Sequence, residues 1–359
     1  MISSHDVAAL LLERQHLAHP AGEEDYDRLF RDLSPVKTPY WCVPGSPPCL
    51  RFRAAFDDED YNDRRRAARR ILKGRFQKGN LAYIAAEDLE LFAALYRRPP
   101  VKMTLEHHRL LDLLEREGPL TIQQIKEITG LLVKHITPLL HRLQEMFLVY
   151  EDQTDAGWDR GWYAMEQEFE GVRFDRFTPE QALDELLPRY ARRAVFFDAD
   201  SLGAFYQLPA KACAASVDRL MKTGVLAAAE VGGRQGWMLR EDRDLLESGA
   251  PEIVPGVFAL ERNDFLVKWG GASLAGDYPP TGEWDTLFYL LVDGRFAGTV
   301  EGRFHNGPFD LENIRIDDWA AGRKEEILEA VYRVNDRETS PVRRVNGVDL
   351  RAGGKGKGG

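Results

Sequence analysis

Cysteine and long apolar runs are both scarce in this chain of 359 residues. No uninterrupted apolar stretch approaches the roughly 20 residues that a membrane-spanning helix needs, and the N-terminus lacks the basic segment and apolar core of a secretion signal. We therefore expect a protein of the cytoplasm that makes no contact with a membrane. Hydrophobic residues make up 44% and charged residues 30% of the chain, as in ordinary globular proteins, and this length predicts two to four domains.

The three cysteines, Cys42, Cys49 and Cys213, exclude a disulfide-rich scaffold and show no zinc-binding spacing. Cys42 and Cys49 could pair across the loop that holds both, although free thiols are the expectation in a reducing compartment. The eight histidines form no metal-site pattern such as H-E-x-x-H. We expect neither a structural metal nor an organic cofactor.

Positive charge is concentrated in residues 62–83 of a chain whose net charge is -10. The segment has one acid, Asp63, and eight cations: Arg64, Arg65, Arg66, Arg69, Arg70, Lys73, Arg75 and Lys78. Arginines three and four residues apart on a helix would present one charged face, which favours a polyanionic partner and first of all double-stranded DNA. The alternative is a solvated face whose charge is partly neutralised by the acids at residues 57–60.

Helices followed by short hairpins recur along the first 250 residues. Residues 104–117 predict a helix, a second helix runs from Thr121 to near Gly130, and a third is followed by two strands. That order is a winged helix, and a similar order recurs from residue 178. The first hundred residues fit the same order, with the basic segment on the third helix and its hairpin.

The rest of the chain is richer in strands. Residues 257–261, 265–269, 287–293 and 296–304 predict strands, and a helix follows. We therefore predict an α+β fold of three tandem winged-helix modules with a C-terminal β-rich domain. The predicted boundaries are 1–99, 100–172 and 173–248 for the modules, 249–340 for the C-terminal domain and 341–359 for a flexible tail.

A proline-rich loop, residues 34–48, interrupts the first module. Five prolines in fifteen residues exclude a helix and favour a stiff loop. Loops held by a rigid scaffold often carry function, so Thr38, Tyr40 and Trp41 are candidates to contact a base or to wedge into a duplex. The alternative is a loop that covers the surface and buries its aromatic rings.

Four passages, taken in their order, carry a family resemblance. They are the segment ARRILKGRFQKGNLAYIAAEDLELF, the two later winged-helix patterns, the segment VFALERNDFLVKWGGASL and the segment LLVDGRFAGTVEGRF. Together they resemble the AlkZ/YcaQ-like DNA glycosylases over nearly the whole chain. The resemblance implies three winged helices with a β-rich domain, a duplex DNA substrate and chemistry without a metal or cofactor. We expect the protein to act as a monomer.

The chain departs from the catalytic pattern of that family. Family members carry Gln-x-Gln or Gln-x-Asp after the second helix, where this chain has Pro35-Val36-Lys37-Thr38-Pro39. A histidine of the family's hairpin corresponds to Ala82 here. The family's catalytic residues are therefore not carried over to this chain.

Lys37 and Asp58 are the catalytic candidates that remain. The Lys37 amine could attack C1′ of a nucleoside if its pKa fell toward neutrality, and we expect the nearby arginine cluster to supply the cations that lower it. Its alternative role is to contact a phosphate. The Asp58 carboxylate could orient a water, and its alternative role is to cap the third helix.

The leading hypothesis is a DNA glycosylase that excises a modified or bulky base, whether alkylated, cross-linked or of the hypermodified phage type. The competing hypothesis is a non-enzymatic winged-helix protein that binds DNA in a regulatory role, which the missing Gln-x-Gln favours.

Overall fold

The first module is built from helices followed by one short hairpin. The computed structural model describes residues 2–39, 45–98, 102–153, 160–304 and 308–350. Its first elements are helices α1 (Ser4–Arg14), α2 (Glu23–Leu33) and α3 (Asp58–Ala67), strands β1 (Ile71–Phe76) and β2 (Asn80–Ala85), and helix α4 (Leu89–Tyr96). Two of the helix starts follow from local chemistry, because Ser3 caps α1 and Asp57 caps α3 with side-chain oxygens.

The second module repeats this order with its own caps. It contains α5 (Leu105–Glu117), α6 (Ile122–Thr129), α7 (Val133–Glu145), β3 (Val149–Asp152), β4 (Gly161–Ala164) and α8 (Met165–Glu168). Thr104 and Thr121 form capping boxes at the first two helices. Gly130 ends α6 with a φ of 70°, a conformation that favours glycine. The three helices predicted between residues 104 and 146 are confirmed.

The third module follows the same order. Its elements are α9 (Pro179–Ala194), α10 (Ala199–Tyr206), α11 (Ala210–Lys222), β5 (Leu226–Val231), β6 (Arg234–Leu239) and α12 (Arg240–Ser248). Thr178 caps α9 in a capping box with Gln181, and Asp198 caps α10 with Ser201. Each start was predicted from the sequence, because a capping oxygen and its partner three residues later are local features.

In each module, one residue outside the hairpin forms a β-bridge of two backbone hydrogen bonds with the second strand of the hairpin. Leu120 pairs with Trp162 in the second module, Phe197 pairs with Trp237 in the third, and Val36 pairs with Tyr83 in the first. The first two bridges follow the first helix of their modules, whereas Val36 follows α2. In the first module, helices α2 and α3 therefore correspond to the first and third helices of the other two modules. The proline-rich loop corresponds to their second helix.

The C-terminal domain is one six-stranded sheet with two helices. Its elements are β7 (Val257–Glu261), α13 (Phe265–Asp277), β8 (Asp285–Val292), β9 (Arg295–Phe304), β10 (Phe309–Ile316), α14 (Lys324–Tyr332), β11 (Arg344–Val345) and β12 (Val348–Asp349). The strand order is β12-β11-β10-β9-β8-β7. Asp293 and Gly294 both have positive φ at the predicted β8–β9 turn.

Two expectations for this domain are wrong. Residues 265–269 were expected to be a strand and instead begin α13, because the Asp264 side chain accepts a hydrogen bond from the Leu266 amide and caps a helix. Residues 344–349 were assigned to a flexible tail and instead form β11 and β12, which extend the sheet beside β10.

The α+β fold class is confirmed, but the cores divide the chain differently from the predicted boundaries. The second module has its own core around Leu114, Ile136 and the fully buried Trp162. The first and third modules share one core, to which one face of α13 contributes, because α9 packs against α1, α2 and α4. A third core lies between the sheet and α14. Among the helices that the structure describes, none is long and apolar enough to cross a bilayer.

Candidate functional site

The start of the proline-rich loop is held rigidly beside the hairpin of the first module. The Val36 amide donates to the Tyr83 carbonyl at 2.8 Å, and the Tyr83 amide donates back to Val36 at 2.7 Å. The Ser34 hydroxyl donates to the Phe30 carbonyl at the end of α2. Lys37 follows this bridge directly, so its backbone position is fixed by hydrogen bonds on the preceding residues. Lys37 and Thr38 are both half-buried.

The C-terminal domain closes over this loop through the turn after β7. The Asn263 side-chain amide donates to the Thr38 carbonyl at 3.0 Å. Asp264 makes a bidentate ion pair with Arg53, at 2.7 and 3.0 Å. Arg53 is fully buried, and its Nε donates to Gln15 at 3.0 Å. A buried bidentate pair of this kind fixes geometry, so the turn and the loop form two walls of one recess.

The recess lies where the first module, the third module and the C-terminal domain meet. Gln77 from the first hairpin reaches across it and donates to the Phe205 carbonyl at the end of α10 at 2.7 Å. The empty volume is about 590 Å³, of which about 30 Å³ admits water. Its polar lining consists of Lys37, Cys49, Arg51, Arg53, Gln77, Glu261, Asn263, Asp264 and Lys268.

Lys37 is the titrating group that stands out in this recess. Burial and, after it, the Lys268 ammonium lower its pKa to about 8, and the Glu261 carboxylate opposes both effects. Burial also lowers the pKa of Lys268. The expectation that the arginine cluster supplies the neighbouring cation is wrong, because Lys268 of α13 supplies it. Burial raises the pKa of the Cys49 thiol, which lies beside Arg51.

Asp58 lies outside this recess. Its carboxylate accepts hydrogen bonds from the Tyr26 hydroxyl at 2.7 Å and from the Leu50 amide at 2.5 Å. These bonds fasten the start of α3 to α2 and to the end of the proline-rich loop. Burial raises the pKa of Asp58, and the residue lines a different cleft with Arg333. The helix cap is made by Asp57.

The basic segment does not form the single exposed face that helical spacing predicted. Arg65 is buried with its guanidinium 4.7 Å from the centre of the Phe30 ring, and it pairs with Asp27. Arg66 is buried and pairs with Asp63 and Asp152. The expectation is wrong for these residues because Arg65 packs back onto α2 of the first module and Arg66 reaches Asp152 of the second.

Three further cations of the segment belong to the same seam. Arg69 pairs with Asp152 at 2.9 Å and with Glu168 at 2.8 Å. Lys73 lies 3.4 Å from Glu151, and Arg75 donates to Gln144 at 2.8 Å. Arg66, Arg69, Lys73 and Arg75, with their partners in the second module, are called the β1–β3 seam below.

The exposed cations of the segment are Arg64, Arg70 and Lys78. Arg64 pairs with Asp60 at 3.3 Å, with both side chains largely exposed, so solvent screens that pair. These three residues are free to contact phosphates in a way that the buried members of the seam are not. Tyr40 and Trp41 lie outside the described residues.

Glu261 and Lys268 are the site residues that sequence analysis missed. They lie four residues or fewer from Asp264 in the segment LERNDFLVK, which also carries the family resemblance. The local signal was the Asn-Asp pair before an apolar run, which is a helix start. That start places Lys268 one turn into α13, but only the contact with the loop brings it near Lys37. In the part of the chain that the structure describes, no group of three or more His, Cys, Asp or Glu side chains could hold a metal ion.

Comparison with solved structures places the fold among DNA glycosylases built from tandem helical modules. The structure of Streptomyces sahachiroi DNA glycosylase AlkZ superimposes with a TM-score of 0.70 at 14% sequence identity, and the match covers 96% of this chain and 99% of that one.

The family model for AlkZ-like DNA glycosylases matches residues 49–336, so the chain belongs to that family. The match begins after Lys37, so the start of the loop lies outside it. No curated protein sequence matches the chain.

Proposed function

We propose that the protein removes a modified or bulky base from duplex DNA by breaking the N-glycosidic bond, and that the recess around Lys37 carries the chemistry. The observation that supports this most is the pairing of an amine of lowered pKa with a carboxylate, inside a fold shared with a DNA glycosylase. Residues with shifted pKa values in a recess are candidate reactive groups. The bases in question are alkylated, cross-linked or of the hypermodified phage type.

The proposed reaction uses Lys37 as the nucleophile. The neutral amine attacks C1′, the C1′–N bond breaks, and the base leaves with the electron pair and takes up a proton. The Lys37 nitrogen gives up a proton to the Glu261 carboxylate, the sugar ring opens, and an imine joins the enzyme to C1′. Water then hydrolyses the imine, which frees Lys37 and leaves an abasic site.

The exposed cations of the first module would hold the duplex. Arg64, Arg70 and Lys78 contact phosphates in this proposal, and Thr38, which follows Lys37 in the chain, contacts the extruded nucleotide. The net charge of -10 is compatible with this role because the field near a cluster of cations governs the approach of DNA. Binding should weaken as salt is raised.

The test is a survey of DNAs that carry different modified bases. The purified protein is incubated with each DNA, and abasic sites are counted with an aldehyde-reactive probe. Abasic sites from one class of DNA would name the substrate. Lys37→Ala should then lower the rate at least about a hundredfold without loss of DNA binding, whereas the matched control Lys211→Ala, at an exposed lysine of α11, should retain the rate.

A non-enzymatic DNA-binding role is the second candidate, and one observation favours it. The part of the recess that admits water is about 30 Å³, which holds a water molecule but no base. This candidate predicts salt-sensitive binding to duplex and no abasic sites from any DNA. Abasic sites that are unchanged by Lys37→Ala would remove Lys37 from the mechanism.

A further inference from the structure

The charges that face Lys37 come from three separate parts of the fold. Lys268 approaches from α13, Glu261 from the end of β7, and Arg51 with Cys49 from the segment before α3. Arg53 and Asp264 also line the recess, but they neutralise each other in their bidentate pair. The amine is therefore held between one cation and one anion, with a second cation, Arg51, close to the anion.

The size of the recess bears on what can reach this amine. About 30 Å³ is open to water, and a purine or pyrimidine does not fit into such a volume. An abasic deoxyribose carries no base, and in its ring-opened form C1′ is an aldehyde at the end of a short chain. The aldehyde is about as large as the few atoms that the recess admits. An abasic sugar can therefore bring C1′ to Lys37 with nothing else in the recess, whereas in the proposed excision the base has to stay outside it.

We propose that the protein has a further activity, abasic-site lyase chemistry, in which Lys37 is the nucleophile, Glu261 is the base and Lys268 is a positioning residue that acts through Lys37. This proposal rests on the proposed function because both use the same recess, but it can be tested without knowing the target base.

Each step of the reaction balances. The neutral Lys37 amine adds to the C1′ aldehyde, the carbonyl oxygen leaves as water, and an imine remains. Glu261 removes a proton from C2′, the C3′–O bond breaks, and the 3′ phosphate leaves with the electron pair. Water then hydrolyses the imine and releases an unsaturated aldehyde, which regenerates Lys37. No oxidant, reductant or metal is consumed.

Lys268 acts on this reaction only through the charge state of Lys37. With its pKa lowered to about 8, about a quarter of the Lys37 amine is neutral at pH 7.5, compared with about a thousandth for an unperturbed lysine. Removing the Lys268 cation should raise the pKa of Lys37 by about one unit, and removing the Glu261 anion should lower it by a similar amount.

The experiment uses the full chain and a duplex with one preformed abasic site. Borohydride traps the imine, gel electrophoresis counts trapped complexes and nicked strands, and both are measured from pH 6 to pH 10. For the unaltered chain, trapping should reach half of its maximum near pH 8. Lys37→Ala should abolish trapping, whereas Lys211→Ala, at an exposed lysine of α11, should leave it unchanged.

The two neighbouring residues give readouts that a purely structural role would not produce. Lys268→Met should shift the midpoint of trapping upward by about one pH unit and lower the trapped fraction at pH 7 by up to about tenfold. Glu261→Gln should raise trapping at pH 7 while lowering the fraction of nicked strands, because the amine is more often neutral but the base is gone. Circular dichroism of each variant checks that it is folded.

The outcomes separate this proposal from the proposed function. Trapping that persists in Lys37→Ala, or whose pH midpoint does not move in a folded Lys268→Met, overturns the proposal. Trapping and nicking on the abasic duplex with no abasic sites produced from any modified DNA would support lyase chemistry and overturn the glycosylase proposal. Abasic sites produced from a modified DNA, with no trapping on the abasic duplex, would support base excision but overturn the lyase proposal and the covalent role of Lys37 in both reactions.

Discussion

At the scale of a single residue, the position of Lys37 in the recess makes its amine reactive and also lowers the stability of the folded protein. Its ammonium group is half-buried next to Lys268, and both features disfavour the charged form. In the unfolded chain the same group is fully hydrated. The folded protein therefore binds this proton more weakly than the unfolded protein, and stability increases as pH rises from about 8 toward 10.5.

Lys37→Met should stabilise the protein at neutral pH. We expect the free energy of unfolding to increase by about 1–2 kcal/mol at pH 7, after allowance for solvent screening of a half-exposed charge. The gain should shrink above pH 8 and vanish near pH 10.5, where lysine is neutral in both states. Urea denaturation at pH 7 and pH 10 measures both values, and an equal gain at both would show that packing and not charge is responsible.

Arg53 is the residue whose loss should harm the fold most directly. Arg53→Met leaves the Asp264 carboxylate, whose side chain is 10% exposed, without its partner, so the free energy of unfolding should fall by about 3–5 kcal/mol. Arg337→Ala is the matched control, because its pair with Glu329 is exposed and should contribute less than about 1 kcal/mol. Urea denaturation compares the two variants, and equal losses would contradict the assigned role of the buried pair.

At the scale of elements, the β1–β3 seam separates cations that hold the protein together from cations that can meet DNA. Arg69 bonds to two carboxylates of the second module, whereas Arg70, its neighbour in the chain, is exposed. The periodicity of the sequence alone does not tell which of these two arginines is exposed. Because the chain leaves the helix at Ala67 and turns into β1, the two side chains point to different surroundings.

Replacing Arg64, Arg70 and Lys78 together with glutamine should weaken duplex binding and reduce its salt dependence. The slope of the logarithm of affinity against the logarithm of salt concentration should fall by about 2 to 3, with thermal stability unchanged. Fluorescence anisotropy from 50 to 300 mM salt measures the slope. An unchanged slope would mean that the duplex lies on another face.

Arg69→Gln should give the opposite result. Glu168 loses its guanidinium partner and the buried Asp152 keeps only Arg66, so the free energy of unfolding should fall by about 1–3 kcal/mol, while the salt slope of DNA binding should stay constant. On the same preparation, denaturation measures the free energy of unfolding and fluorescence anisotropy measures the salt slope of DNA binding. A reduced slope without loss of stability would restore Arg69 to the list of DNA contacts.

At the scale of the whole molecule, the three modules are not equivalent. The first and third are joined by a continuous apolar core, whereas the second has a core of its own, contributes Phe147, Tyr150, Tyr163 and Met165 to the shared core, and also meets the first along the polar β1–β3 seam. Regions with their own small core and a partly polar boundary tend to open independently.

Hydrogen exchange should therefore distinguish the second module from the other two. Amides of Leu114 and Ile136 should exchange through openings of lower free energy than amides of Phe92 and Leu187, which lie in the shared core. Mass spectrometry of exchanged peptides measures the difference. Equal protection in all four segments would indicate that the modules unfold as one cooperative unit.

The sequence by itself determined the local structure of this protein. Caps at Ser3, Thr104, Thr121 and Thr178 and the turn at Asp293 gave most helices and hairpins their places, because such signals act over three or four residues. Residues 265–269 were assigned the wrong element, since a short apolar run fits a strand and a helix equally well, and residues 344–349 were assigned to a tail although they extend the sheet.

The tertiary structure alone decided the site. Lys37, Glu261 and Lys268 are far apart in the chain and carry no shared motif, and the Arg53–Asp264 ion pair and the Asn263–Thr38 hydrogen bond bring them to one recess. The same is true of the basic segment, in which burial against the second module separates Arg66 and Arg69 from Arg64 and Arg70. A pKa and the exposure of a charge depend on whatever surrounds the group in space, and local sequence does not specify those surroundings.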